Sequence, residues 1–122
     1  MKIKEQLINF ETAKLAKNKG LDEEYAYIYY DKNKNLIESG INTKLYPDEY
    51  LAISQSLLHK WLREEYNIII LIEYNDWVED DSPAYQKYIY YFIYKNKAYQ
   101  ESYFNSYEDA LEAGLQEALK LI

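Results

Sequence analysis

The chain has 122 residues and a net charge of −7, with sixteen tyrosines, one histidine, three glycines and no cysteine. Disulfide scaffolds and cysteine nucleophiles are excluded, and an apolar fraction of 48% with 17% aromatic residues excludes a disordered chain. No run approaches the ~20 apolar residues of a membrane helix, and the charged start from Met1 to Glu5 is not followed by an apolar stretch, so one soluble cytoplasmic domain, 1–122, is expected.

Residues 10–19 are expected to form a short peripheral helix, because Asn9 can cap its start and Gly20 can take the left-handed position beyond its end. Its apolar spacing is irregular. Residues 25–30 and 36–39, rich in aromatic and branched side chains, flank the turn-forming run Asp31-Lys32-Asn33-Lys34-Asn35 and read as a hairpin. Residues 40–48, with Pro47 and no clear period, read as a connection. Ser54 then caps a core helix over 55–66, in which Leu57, Leu58, Trp61 and Leu62 make one apolar stripe. His59 falls roughly 130° from the centre of that stripe and is expected to face water.

Residues 68–74 are apolar on both faces near their start, which predicts a central strand. A polar loop over 75–84 leads to a strand over 85–94, with Tyr88, Tyr90, Phe92 and Tyr94 on one face and Ile89, Tyr91 and Ile93 on the other. Asn96 and Lys97 are expected to turn the chain into a third strand, 99–104. Ser106 caps the last helix, with Asp109 three residues on. Tyr107, Leu111, Gly114, Leu115, Ala118, Leu119 and Ile122 line its apolar face, opposed by Asp109, Glu112, Gln116 and Lys120. Gly114 costs this helix about 1 kcal/mol relative to Ala, so its place in the stripe predicts a close approach to the sheet. The fold class is therefore α+β in the order α-β-β-α-β-β-β-α, an antiparallel sheet with the Ser54 and Ser106 helices on one face. Whether the hairpin near Tyr25 joins that sheet is left open.

Charge is unevenly placed. Residues 1–61 carry nine basic and nine acidic side chains, whereas residues 62–122 carry five basic and twelve acidic. From Glu64 to Asp81 there are seven carboxylates and no basic residue beyond Arg63, which precedes them. An acidic surface repels phosphates, so direct nucleic-acid binding is not expected. The one basic cluster, Lys14, Lys17 and Lys19, is explained by the dipole at the end of the first helix. Asp76, Glu79, Asp80 and Asp81 have the hard oxygen character of cation ligands, but they lack the spacing and glycine of an EF-hand, and a solvated acidic loop explains them equally well. With Glu64, Glu65 and Glu73 they also match a row of phosphates that a basic groove could accept. Isolated glycines disfavour a phosphate-binding loop, and no serine motif accompanies the lone histidine. No catalytic residue, cofactor or metal ligand is assigned.

The segments Asn9 to Gly20 (NFETAKLAKNKG), Ser54 to Ile68 (SQSLLHKWLREEYNI) and Ser106 to Ile122 (SYEDALEAGLQEALKLI) together resemble an uncharacterised family of small proteins from phages, prophages and mobile elements of Bacteroidetes-type bacteria. The resemblance follows the helices in order. Its motifs are packing motifs, so it implies an origin in a bacterial host cell and transfers no catalytic residue.

The expectation is a non-enzymatic phage-type accessory protein that binds another macromolecule, most simply a host or phage protein. Its proposed contact residues are Glu73, Asp76, Glu79, Asp80, Asp81, Tyr85, Tyr88 and Tyr91. A self-associating assembly component is the alternative, and a small carboxylate- or metal-dependent enzyme the third. Area sets a limit on the first two: one face of a three-stranded meander offers roughly 300 Å² of geometric area, against ~800 Å² per partner in a standard interface.

Overall fold

Side-chain caps set the start of each helix. In the computed structural model, which describes residues 4–74 and 87–122, α1 spans Phe10–Asn18, α2 Gln55–Tyr66 and α3 Tyr107–Leu121. Asn9 Oδ1 accepts from the Thr12 N–H at 2.9 Å, Ser54 Oγ from Leu57 at 3.1 Å, and Ser106 Oγ from Asp109 at 3.0 Å. At the other end of α1, Gly20 has φ +108°, its N–H reaches Lys17 O and the Leu21 N–H reaches Ala16 O, the paired bonds of a Schellman motif. α2 closes on Asn67 in the left-handed conformation. No helix among the described residues is long and apolar enough to cross a membrane.

The strands are β1 (Tyr25–Tyr30), β2 (Leu36–Lys44), β3 (Tyr50–Leu51), β4 (Leu71–Tyr74), β5 (Tyr88–Tyr94) and β6 (Lys97–Phe104). The fold is α+β, and the order α-β-β-β-α-β-β-β-α adds only β3 to the expected one. The strands divide into two antiparallel sheets, β2-β1-β3 and β4-β5-β6. The hairpin near Tyr25 therefore has a sheet of its own. Its second strand runs on to Lys44 through an irregularity in the pairing, so half of the expected 40–48 connection is strand, and β3 takes the remaining edge of β1 through Tyr29 opposite Leu51 and Tyr30 opposite Tyr50.

Within the other sheet the central strand is β5, and β4 lies at the edge, contrary to the central position that its apolar start suggested. The apolar run has another cause. Ile68 and Ile70 are buried in the core before β4 begins, while Ile69 and Leu71 point away from it. The β5–β6 turn sits at Lys95 and Asn96, one residue earlier than expected, with φ of 50° and 65°.

α3 covers the face of this sheet that carries Tyr90 and Phe92. Leu111, Leu115, Ala118 and Leu119 are buried there, and Gly114 makes the close approach: a Cβ at that position would lie 3.0 Å from Ile70 Cγ2 and 3.2 Å from Tyr90 Cβ and Cγ. Burial, with Glu117 and Glu101 nearby, pushes the Tyr90 phenol up to about 12, so it stays a neutral donor. α2 packs chiefly on α3.

α1 is not peripheral. Thr12, Ala13 and Ala16 are buried against α3, whose polar side, opposite its apolar face, supplies the bond. The Glu112 carboxylate accepts from the Asn9 N–H at 3.0 Å, from the Thr12 hydroxyl, and from Gln55 Nε2 at 2.9 Å. Gln55 also donates to Glu108 O, and Gln116 Nε2 donates to Thr12 Oγ1, each at 2.9 Å. Thr12 and Gln55, the two buried polar side chains of the described residues, are thus both satisfied through α3.

Two substitutions test these contacts by urea denaturation. Glu112→Ala removes the acceptor shared by Asn9, Thr12 and Gln55, though Thr12 and Gln55 keep a second one, and is expected to cost about 1–3 kcal/mol. Gly114→Ala gains about 1 kcal/mol of helix propensity but meets Tyr90 Cβ, which cannot move without its strand; overpacking costs about 1–3 kcal/mol, so a net loss near 1 kcal/mol is expected. A stabilised Gly114→Ala protein would mean that the sheet yields.

Candidate functional site

Strand alternation gives the β4-β5-β6 sheet a second face that no helix covers among the described residues. The register β4–β5 places Leu71 beside Tyr91 and Glu73 beside Ile89, and β5–β6 places Tyr91 beside Gln100 and Ile93 beside Ala98. These residues alternate with Ile72, Tyr90, Phe92 and Tyr99, which face the core. Ile69, Leu71 and Ile93 are 55%, 50% and 52% exposed, so the face is a continuous apolar surface with one carboxylate, Glu73, upon it. Tyr103, at φ +73°, sits where the β5–β6 register shifts and is exposed at the far edge.

This geometry sorts the expected contact residues. Glu73 and Tyr91 share the open face. Tyr88 does not: it is on the Tyr90 side of β5, its ring 5.2 Å from that of Tyr74. Asp76, Glu79, Asp80, Asp81 and Tyr85 lie outside the described residues. No group of three or more carboxylate or imidazole side chains among the described residues could hold a metal ion.

His59 differs from its expected role as a surface residue. It is half-buried, and its Nε2 accepts the Ile70 N–H at 2.8 Å across from α2 to the segment entering β4. The helix wheel placed it away from the apolar stripe correctly, but it could not register that the returning chain passes on that side. Accepting at Nε2 fixes the neutral form with the proton on Nδ1. Burial, and then the nearby Arg63, lower its pKa.

The basic cluster is dispersed by internal bonds. Lys17 Nζ donates to Pro47 O at 2.9 Å and Glu49 O at 3.0 Å and lies over the Tyr50 ring, while Lys19 Nζ donates to Ile122 O at 2.7 Å. A further surface was missed. The α2 stripe splits: Leu58 and Leu62 are fully buried, whereas Leu57 is 51% exposed and with Trp61 forms one wall of a groove of about 270 Å³. Leu21, Leu51 and Ile53 form the opposite wall.

Against known proteins, no family model matches the chain, and no curated protein or solved structure is significantly similar to it. Any functional reading therefore rests on the surfaces described above.

The His59 bond carries a pH signature. Because the folded-state pKa lies below the unfolded value of about 6.5, the contribution is fully present above that value and is lost as pH falls through the folded pKa. His59→Gln offers an amide oxygen to the same N–H without a titration in this range. Urea midpoints at pH 7 and pH 5.5 are expected to fall more in the natural chain than in His59→Gln; equal falls would refute the assignment.

Proposed function

We propose that the chain is a non-enzymatic accessory protein of phage or mobile-element type, acting in the cytoplasm of a bacterial host by binding another protein through the uncovered face of the β4-β5-β6 sheet. The observation that carries this reading is the contrast between the two faces of that sheet. One is covered by α3, and the other presents Leu71 and Ile93, both half exposed, on either side of the partly buried Tyr91, with Glu73 beside Ile89. Exposed apolar surface of this continuity marks interaction sites in soluble proteins. Aromatic and aliphatic anchors ringed by polar groups are the usual centre of an interface.

The small area of one sheet face makes neighbouring elements part of the contact. The acidic residues Asp76, Glu79, Asp80 and Asp81 follow β4 directly in the chain, and the reading gives them the rim, where charge steers encounter more than it adds affinity.

Leu71→Ser/Ile93→Ser is the discriminating variant, since both side chains are exposed and their loss leaves the core intact. A photo-crosslinking residue at Ala98, exposed beside Ile93 on the same face, is expected to capture one host or phage protein in the native host, and a crosslinker at Ile41, exposed on the other sheet, is not. The double variant is expected to lose a partner retained by the natural chain, with its urea midpoint unchanged. Undiminished capture would remove this face from the contact. A concentration-dependent mass in light scattering that disappears in the variant would identify the partner as a second copy.

A further inference from the structure

The groove between α2 and the segment around β3 is a separate apolar surface, and its chemistry points to a particular occupant. We infer that it binds the apolar face of a cationic amphipathic segment of a partner protein. Its walls are Leu57 and Trp61, one helical turn apart on α2, and Leu21, Leu51 and Ile53 opposite. A groove flanked by a helix ridge is the form that receives an amphipathic helix through side chains spaced three and four apart.

Size narrows the choice. About 270 Å³ lies just under the roughly 300–1,000 Å³ range of sites that enclose a whole small molecule. It suits one or two inserted side chains, the anchor of a protein contact. The edge ring between Trp61 and Tyr66, with centroids 5.3 Å apart, holds the indole in place before anything binds.

Charge at the rim selects the sign of the partner. Glu23 stands on one lip and Glu64 on the other, with Lys60, one turn before Glu64 on α2, the one cation in the lining. Neither carboxylate is in an ion pair among the described residues, whereas the nearby Glu24 is held by Lys44 at 3.6 Å. Asp22 and Glu65 lie exposed beside the rim acids in the chain. Lys17 shares a cavity with Asp22 and Glu23 but its ammonium is held by the Pro47 and Glu49 carbonyls, and Arg63 lies away in the cavity beside His59. Lysines or arginines flanking the inserted side chains would meet carboxylates on both lips, whereas an acidic segment would be repelled.

The test uses the full chain and a fluorescein-labelled helical peptide of about 18 residues with leucine on one face and lysine on the other, a length at which helicity is appreciable. Companion peptides replace every lysine by glutamate or every leucine by serine. Fluorescence anisotropy at low and moderate salt is expected to detect binding of the Leu/Lys peptide alone, weakened by salt. Leu57→Ser and Glu23→Lys/Glu64→Lys are each expected to weaken it at least tenfold with unchanged urea midpoints. Leu71→Ser/Ile93→Ser, altered on the sheet face, is expected to bind as the natural chain does. The inference is overturned if the Leu/Lys peptide does not bind, if it binds Leu57→Ser equally well, or if the serine or glutamate peptide binds as tightly. A loss in Leu71→Ser/Ile93→Ser would place the peptide on the sheet and equally overturn it. So would self-association of the natural chain that Leu57→Ser abolishes, because the occupant would then be a second copy.

Discussion

The carboxylate of Glu112 holds the helices of this protein in one arrangement. It sits on α3 and accepts from the backbone at the start of α1, from Thr12 within α1, and from Gln55 at the first position of α2. Of these donors the Thr12 and Gln55 side chains are buried, and leaving a buried donor without a partner costs about 1–3 kcal/mol. The preceding segment adds a backbone join, with the Ile8 N–H bonded to Ile53 O and the Gln55 N–H to Gln6 O. α1 in turn fixes the smaller sheet: Phe10 meets the rings of Tyr30 and Tyr50 edge-on, and the Tyr30 hydroxyl donates to Ile8 O at 2.6 Å. The two sheets are thus linked through α1 and α3, whose contact joins the Glu112 bonds to the Gln116–Thr12 bond and the buried side chains of Ala13 and Ala16.

The helices were legible because their signals are local. Asn9, Ser54 and Ser106 each cap the helix they were expected to cap, and α2 spans the expected residues without adjustment. Gly114 disclosed a close helix–sheet approach because a residue that costs a helix stability needs a reason to be there. The division of the strands into two sheets was not legible. Strand pairing depends on residues far apart in the chain, and β3, at two residues, is too short to show any period. The role of Glu112 and Gln116, placed opposite the apolar face of α3, was hidden for the same kind of reason. A helix wheel separates polar from apolar, but it cannot say that a second helix will bring donors to the polar side.

The surfaces were half legible. Glu73 and Tyr91 belong to one open face, as residues two positions from apolar neighbours on an edge and a central strand should. Tyr88 was grouped with them by residue type, although parity along β5 already set it opposite Tyr91. The groove escaped notice because Leu57 and Trp61 fit the same apolar stripe as Leu58 and Leu62. A stripe more than 100° wide can serve two neighbours, and only the position of the β3 segment decides which edge of it remains uncovered.

Glu73 has a consequence for the kind of partner the open face admits. An exposed edge strand with Leu71 and Ile69 beside it invites unselective association, and a charge among the apolar residues is the usual protection. Covering that carboxylate without a cation would cost several kcal/mol, so a purely apolar partner is penalised. Two copies meeting about an axis close to Glu73 would bring like charges together, whereas a partner carrying a lysine or arginine among its apolar anchors would relieve both problems. The groove rim at Glu23 and Glu64 imposes the same preference on a different side of the molecule. In both places the negative charge does not compete with the apolar contact. On the proposed reading it would determine which apolar contacts are allowed, since a cationic partner is favoured over an acidic one at both surfaces.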